Sequence, residues 1–322
     1  MSAHLEMRLP EVVELSTLTT NDLDPLFHEE IGVWDKRFHW DFRPAADLLR
    51  RFVKVRSLYG YALMAGRTVV GYTYYVCEGK KGLIGDFFLS QDYATATNEM
   101  MLLGATVQGV MLISGIRRIE SQLMMLHMPP PQPLPFSRQL SRHDRCFMEI
   151  DRTSVLRLQP QTPEINVTLH AWAERFKEEI AHLVSAAYRG HVDSEINDQY
   201  RTIPGARHFL TNIVRYPGCG TFSAEGSVVA VDDRSGRVCG VCLSSMVSAK
   251  SGHVTQLCIL PAIRGARLGY DLLRQTLLRL TEAGCSTVSL TVTSANRDAI
   301  RLYESVGFRT QSIFPALVWE GF

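Results

Sequence analysis

The chain has 322 residues, 46% hydrophobic and 21% charged, which supplies packed cores and excludes global disorder. Lys plus Arg number 34 against 33 Asp plus Glu, a formal net charge of +1, so a general affinity for nucleic acid or anionic lipid is not encoded. At about 100–200 residues per domain, the length favours two domains.

The N-terminus lacks a basic region followed by an apolar core, so no signal peptide is expected. Glu11 to Leu18 reads as a strand, and Asp22 to Val55 as helix rich in aromatics. Trp34, Phe38, Trp40 and Phe42 crowd a helix and its end, as a core or a domain interface, with one wall of an acceptor cleft as the alternative. Tyr61–Met64, Thr68–Cys77 and Gly82–Leu89 read as three strands joined by glycine-containing turns. Asn98–Ile113 is an apolar helix, its stretch from Met100 too short for the ~20 residues of a membrane span. Ile116–Met125 is a strand. The run Pro129–Pro135 excludes a helix and reads as a connection, with partner docking as the alternative. Cys146–Asp151 is a last strand before a polar linker, Arg157–Glu164.

The same order then recurs. Val167–Ala171 is a strand, and Glu174–Tyr188 a helix with Phe176, Ile180, Leu183, Val184 and Ala187 at helical spacing. Tyr200–Tyr216 is helix; Ser227–Asp232, Arg237–Met246 and His253–Leu260 are strands. Tyr270–Ala283 is a helix stopped by Gly284. Ser286–Val292, Asn296–Val306 and Ile313–Trp319 are strand, helix and strand. The pattern predicts an α/β fold of two domains, 1–157 and 158–322, each a mixed, mostly antiparallel sheet with helices on both faces.

Seven cysteines, odd in number and scattered, read as reduced thiols and point to a cytoplasmic protein. Cys239 and Cys242 form a Cys-x-x-Cys match inside an apolar strand, where strict alternation puts them on opposite faces. No second pair completes a zinc site, and no metal is expected.

The informative segment is Ile259-Leu260-Pro261-Ala262-Ile263-Arg264-Gly265-Ala266-Arg267-Leu268-Gly269-Tyr270, a strand, a tight loop and a helix start. The first amides of a helix lack internal partners and its dipole makes that end positive, so such a loop can cradle a pyrophosphate. An ordinary β-α turn is the alternative. Asn296, Ala299, Leu302, Tyr303, Gly307 and Phe308 follow about thirty residues later. The pair resembles the two signatures of the GNAT acyltransferase superfamily, Arg/Gln-x-x-Gly-x-Gly/Ala and Asn-x-x-Ala-x-x-Leu-Tyr-x-x-x-Gly-Phe. The likeness runs from about Thr168 to Phe322; in the first half it is architectural. Arg267 stands where the family has a glycine.

The resemblance implies two tandem GNAT-like domains, the second an N-acetyltransferase moving an acetyl group from acetyl-CoA to an amine by direct transfer. It implies that the amides of Arg264, Gly265, Ala266, Arg267, Leu268, Gly269 and Tyr270 hold the pyrophosphate. The backbone at Leu257 and Ile259 would pair with pantetheine. Asn296 and Tyr303, seven residues apart, share a helix face, Asn296 as N-cap and Tyr303 as general acid; a buried packing tyrosine is the alternative. Counting six residues back from Ile259 reaches His253, the expected base, unless it is merely a solvated histidine. Gln256 positioning a water is a second route. Cys258 beside the cofactor strand is read as a core residue. Asp193, Glu195 and Asp198 lie where the family builds acceptor sites, and read as amine-attracting or simply solvated. The loop Ser90–Thr97 of the first half has neither Gly nor Arg, so that half is expected not to bind acyl-CoA. A non-catalytic acyl-CoA-binding protein is the rival. Neither nucleic acid nor membrane is an expected partner, and the oligomeric state is not encoded.

Overall fold

The computed structural model describes residues 10–126, 134–216 and 218–322. Most of the Pro129–Pro135 run lies outside the described residues. The chain forms two compact units. The first comprises residues up to Phe38, then Phe42–His143 and Phe314–Phe322; the second comprises His39–Asp41 and Asp144–Ile313. The expected break at 157/158 is therefore displaced in two ways. Asp144–Arg157 belongs to the second unit, and the chain's last nine residues belong to the first.

In the first unit the elements are β1 (Glu11–Glu14), α1 (Thr20–Phe38), α2 (Arg43–Lys54), β2 (Tyr59–Ala65), β3 (Thr68–Glu78), β4 (Lys81–Leu89), α3 (Ala96–Met111) and β5 (Arg118–Gln122). The helix expected over Asp22–Val55 is two helices: His39 adopts φ 57° and Pro44 opens α2. Sheet order is β1-β2-β3-β4-β5, completed by the C-terminal strand, in which Ala316–Glu320 run antiparallel to Arg118–Gln122. Only β4 and β5 are parallel, and their pairing stops at Ile84/Ser121. On one face Leu102, Leu103, Val107 and Val110 of α3 pack with Ile84, Phe87, Ile119, Leu317 and Trp319. On the other, α1 sets Phe27 edge-on to Tyr72 at 5.3 Å. Here α1 also buries Glu30, which accepts hydrogen bonds from Trp34 Nε1 (3.1 Å) and Tyr72 OH (2.8 Å) and lies within hydrogen-bond reach of half-buried Asp86.

The second unit contains β6 (Leu140–Asp151) from Asp144 onward, α4 (Arg152–Leu156), β7 (Val167–Ala171), α5 (Lys177–Ala187), α6 (Asp193–Ile196) and α7 (Ile203–Arg215). It continues with β8 (Thr221–Phe222), β9 (Val228–Asp232), β10 (Val238–Ser248), β11 (Ser251–Ile259), α8 (Leu268–Glu282), β12 (Thr287–Thr293), α9 (Arg297–Val306) and the start of β13 (Arg309–Glu320). The short α4 was not expected; Asp151 starts it by accepting the Ser154 amide. Sheet order is β7-β9-β10-β11-β12-β6. Only β11 and β12 are parallel. The two units thus share one strand order, and each takes its sixth strand from the other half of the sequence.

Alternation along β9 sorts its side chains to two cores. Val228 and Ala230 join Leu268, Leu272, Leu273, Leu277 and Leu280 of α8, while Val229 joins Ile180, Val184 and Leu210 of α5 and α7. Cys239 and Cys242 depart from expectation by lying in the same core. A bulge leaves Cys239 without a partner between Val238↔Val231 and Gly240↔Ala230, which breaks the alternation. Among the described residues no helix is long and apolar enough to cross a membrane, and no cluster of three or more His, Cys, Asp or Glu could hold a metal.

Candidate active site

The site begins with a parting of strands. β11 pairs with β12 only from Ser251/Thr287 to Val254/Leu290. Beyond that point β11 stays paired to β10 and β12 to β6, leaving the facing edges of Thr255–Ile259 and Thr291–Thr293 unpaired with each other. At the same point β11 bulges. Gln256 faces Leu243 and Val254 faces Ser244, so Thr255 is the extra residue. It has no partner in the register of either ladder, and its Oγ1 is buried with no partner. An open strand edge with a bulge at its head can accept an extended ligand and direct an N–H at it.

A cavity of about 710 Å³ occupies this opening. Leu257, Ile259, Arg264, Gly265, Arg267, Gly269, Tyr270, Asn296 and Tyr303 all line it. The structure therefore brings together nine of the twelve residues expected from sequence. Ala266 and Leu268 do not line it: the Ala266 carbonyl accepts the Glu164 amide at 3.0 Å, and Leu268 is buried in the core. A larger cleft, about 910 Å³, contains neither Tyr303 nor any of residues 264–270.

The phosphate-type loop is built by backbone geometry. Gly265 has φ 89° and Arg267 φ 62°, both left-handed, and α8 starts at Leu268. For Arg267 this conformation costs about 1–2 kcal/mol, because its Cβ crowds the following carbonyl. No side chain caps α8. Gly269 is required by close approach, since a Cβ there would lie 2.9 Å from Ile259 Cδ1. The Arg264 guanidinium is committed to Ala187 O at 2.7 Å, and Arg267 lies 3.5 Å from exposed Glu164. The corresponding loop of the first unit is closed by its own groups. Thr95 Oγ1 caps α3 through the Asn98 amide, and the Gln91 amide donates to Glu29 Oε1 at 2.8 Å.

Asn296 caps α9, accepting the Ala299 amide at 3.3 Å, and its Nδ2 lies 3.2 Å from His191 Nε2. Seven residues on, Tyr303 is 9% exposed and faces the cavity, and its hydroxyl makes no hydrogen bond among the described residues. Burial raises its pKa, so the phenol keeps its proton. Cys258 also lines the cavity, and burial pushes its thiol up to about 12, which keeps it un-ionised and unsuited to nucleophilic attack.

His253 is placed elsewhere. It is 4% exposed, bonds Ser289 Oγ at 2.9 Å, lies edge-on beneath Trp40 at 4.9 Å, and does not line the cavity. Burial, then the charge of Arg145, push its pKa down to about 3, which leaves it neutral and weakly basic. The physical reason is the bulge. Counting back by twos from Ile259 fails at Thr255, and it is Val254 that shares a core with Leu257 and Ile259. Trp40, with His39 and Asp41, belongs to the second unit: its indole donates to Ser289 Oγ at 3.4 Å, and the Asp41 amide donates to Val247 O at 2.8 Å.

The remaining lining residues were less visible in sequence. Of the three acidic-loop carboxylates, Asp193 alone lines the cavity; it is 9% exposed, accepts a hydrogen bond from Thr293 Oγ1 and lies 3.8 Å from His191 Nδ1. Tyr188 and Tyr200 stack at 4.4 Å, and Gln256 bonds both hydroxyls and Cys258 Sγ. Arg145 reaches in from β6 with its side chain 12% exposed, and carried no sequence signal.

Residues 193–308 match the model of the acetyltransferase (GNAT) family. Among solved structures, a tandem GNAT protein from the clavulanic acid biosynthesis pathway superposes with TM-score 0.62 at 14% identity, covering 97% of this chain and 98% of its own. A GCN5-related N-acetyltransferase from Sphaerobacter thermophilus gives 0.66 at 14% identity, with coverage of 97% and 95%. A glucosamine N-acetyltransferase region of a fungal multi-domain β-N-acetylglucosaminidase gives 0.61 at 14% identity; it covers 99% of this chain, which spans 39% of that one. No curated protein matches the sequence. The family match thus spans the parted strands, and the fold over nearly the whole length is that of tandem GNAT proteins.

Proposed function

We propose that the second unit is an N-acetyltransferase that takes acetyl-CoA as donor and an amine as acceptor. The observation that carries this reading is a single cavity lined by an uncapped helix start, an open strand edge and a protonated tyrosine. The loop amides at 264–270 hold the pyrophosphate, and the free edge of β11 orders the pantetheine like an added strand. The Thr255 amide, freed by the bulge, steadies the thioester oxygen as it gains charge.

The amine nitrogen attacks the thioester carbon, forming the C–N bond as the C–S bond breaks. Tyr303 gives its proton to the departing thiolate. The amine proton passes to Asp193 through Oδ2, the oxygen not engaged by Thr293, directly or through one water; Gln256 positions that water beside Tyr188 and Tyr200. His253 has no part in this route. The first unit does not take acyl-CoA, since Glu29 and Thr95 occupy the amides a phosphate would need.

A second reading, binding without turnover, is favoured by one observation, the strained Arg267 in place of a glycine. The test is release of CoA from acetyl-CoA over an amine panel, with Tyr303→Phe alongside. The acetyltransferase reading expects turnover that falls roughly 100-fold or more in the variant with acetyl-CoA binding intact. Binding without CoA release in the wild type selects the second reading.

A further inference from the structure

Resting on the acyl-transfer reading above, we propose that the acceptor is an amino acid, held by its carboxylate on Arg145 with its amine beside Asp193. Arg145 sits opposite Thr293 in the β6–β12 ladder, and its guanidinium runs back along β12. Nη2 donates to Thr291 O at 3.3 Å and Thr291 Oγ1 at 3.2 Å. Thr291 is the first β12 residue beyond the last pair with β11, so the guanidinium stands where the strands part. It lines the cavity there.

Two observations point to a missing acceptor group. Arg145 Nε is buried and has no hydrogen-bond partner among the described residues. A buried donor left unpaired is costly, and the planar fork of arginine matches a carboxylate through two parallel bonds. The nearest carboxylate does not satisfy it: Asp193 Oδ1 is 4.0 Å from Nη1, beyond hydrogen-bond range, and accepts from Thr293. The two opposite charges are neighbours that have not closed on each other. A ligand carrying an ammonium and a carboxylate on the same or adjacent carbon satisfies both. A protein lysine, a polyamine or a protein N-terminus has no carboxylate at that distance from its amine. Thr255 Oγ1, buried and unpartnered in the same cavity, offers a further polar contact.

The test uses pairs that differ only in the carboxylate: leucine and 3-methylbutylamine, phenylalanine and phenethylamine, lysine and cadaverine, arginine and agmatine. With the full chain and acetyl-CoA, at least one amino acid should exceed its amine roughly 100-fold in kcat/KM. Arg145→Met should abolish that preference with the KM for acetyl-CoA unchanged, and Arg145→Lys should restore part of it. Amines used as well as their amino acids by the wild type overturn the proposal, whether or not the variants fold. Succinyl-CoA used with plain amines in an Arg145-dependent way also overturns it, by moving the carboxylate to the acyl group. Saturation-transfer NMR on the same pairs requires no turnover. Amino-acid signals lost in Arg145→Met uphold the carboxylate site even when no CoA is released, an outcome that defeats the acyl-transfer reading alone. No amino-acid signal in the wild type defeats the inference.

Discussion

The buried acid pair of the first unit yields a prediction independent of any reaction. Glu30 and Asp86 lie together under α1; burial raises both, and Asp86 is pushed up to about 6 from 3.8. A carboxyl whose folded value exceeds its unfolded value binds more protons when folded, so stability falls as pH rises through that interval. That rise at Asp86 corresponds to about 3 kcal/mol of lost stability, absent below about pH 4 and complete above about pH 6. Asp86→Asn removes the charge and keeps the contacts. Its oxygen can still accept the Phe87 amide, which bonds Asp86 Oδ1 at 2.7 Å, and its NH₂ can donate to Glu30. The variant should therefore be more stable than wild type by up to about 3 kcal/mol near pH 8, with the gain vanishing near pH 4. Urea unfolding followed by tryptophan fluorescence reads this unit once Trp40 and Trp172 of the second unit are replaced by Phe in both proteins, because Trp34 donates to Glu30. A difference that is constant across that pH range, or a variant less stable near pH 8, refutes the reasoning.

Other expectations follow from the second unit. Arg267→Gly relieves about 1–2 kcal/mol of left-handed strain against about 0.4–1 kcal/mol of added unfolded-state entropy, so thermal unfolding should shift upward slightly. Its acetyl-CoA affinity, measured by calorimetry, should change less than about 3-fold if amides do the cradling; a loss beyond about 10-fold assigns the phosphate to the guanidinium. His253→Asn should leave the pH profile of kcat/KM unaltered, and loss of its acidic limb would reinstate that residue as the base. Because the His253 pKa is depressed, its contribution is present above about pH 6.5 and lost as pH falls towards about 3, so acid unfolding should begin at lower pH in the variant. Glu29→Ala should expose the Gln91 amide without creating acetyl-CoA binding in the first unit, since Asp92 remains beside it; a second binding event in calorimetry contradicts that.

Much of the second unit's site was legible because its chemistry is local. Gly265, Gly269, Asn296 and Tyr303 sit in short segments whose spacing dictates a loop, a cap and a helix face. What escaped was set by register and pairing. His253 was misplaced by one extra residue, Thr255, since alternation survives only where no bulge intervenes. Arg145 lies on a strand whose own residues say nothing about its neighbour; only pairing with β12 brings it to the cavity. Likewise, residues 39–41 look like the middle of a helix, and what takes them into the second unit is a left-handed turn at His39 and their bonds to Ser289 and Val247. The domain break was misjudged for the same reason. Strand propensity marks β6 and β13 as strands but does not name their partners.

The crossed sixth strands also govern the order of events during synthesis. β5 ends at Gln122, and the strand that covers it starts its share of the first unit at Phe314, some 190 residues later. At about 5–20 residues per second, the β5 edge emerges from the ribosome roughly 10–40 s before its cover exists. The second unit has the opposite schedule, with β6 made first and left waiting for β12. An open edge is a template for pairing with other chains. The nascent protein is therefore most vulnerable to misassembly late, when most of its mass is already made.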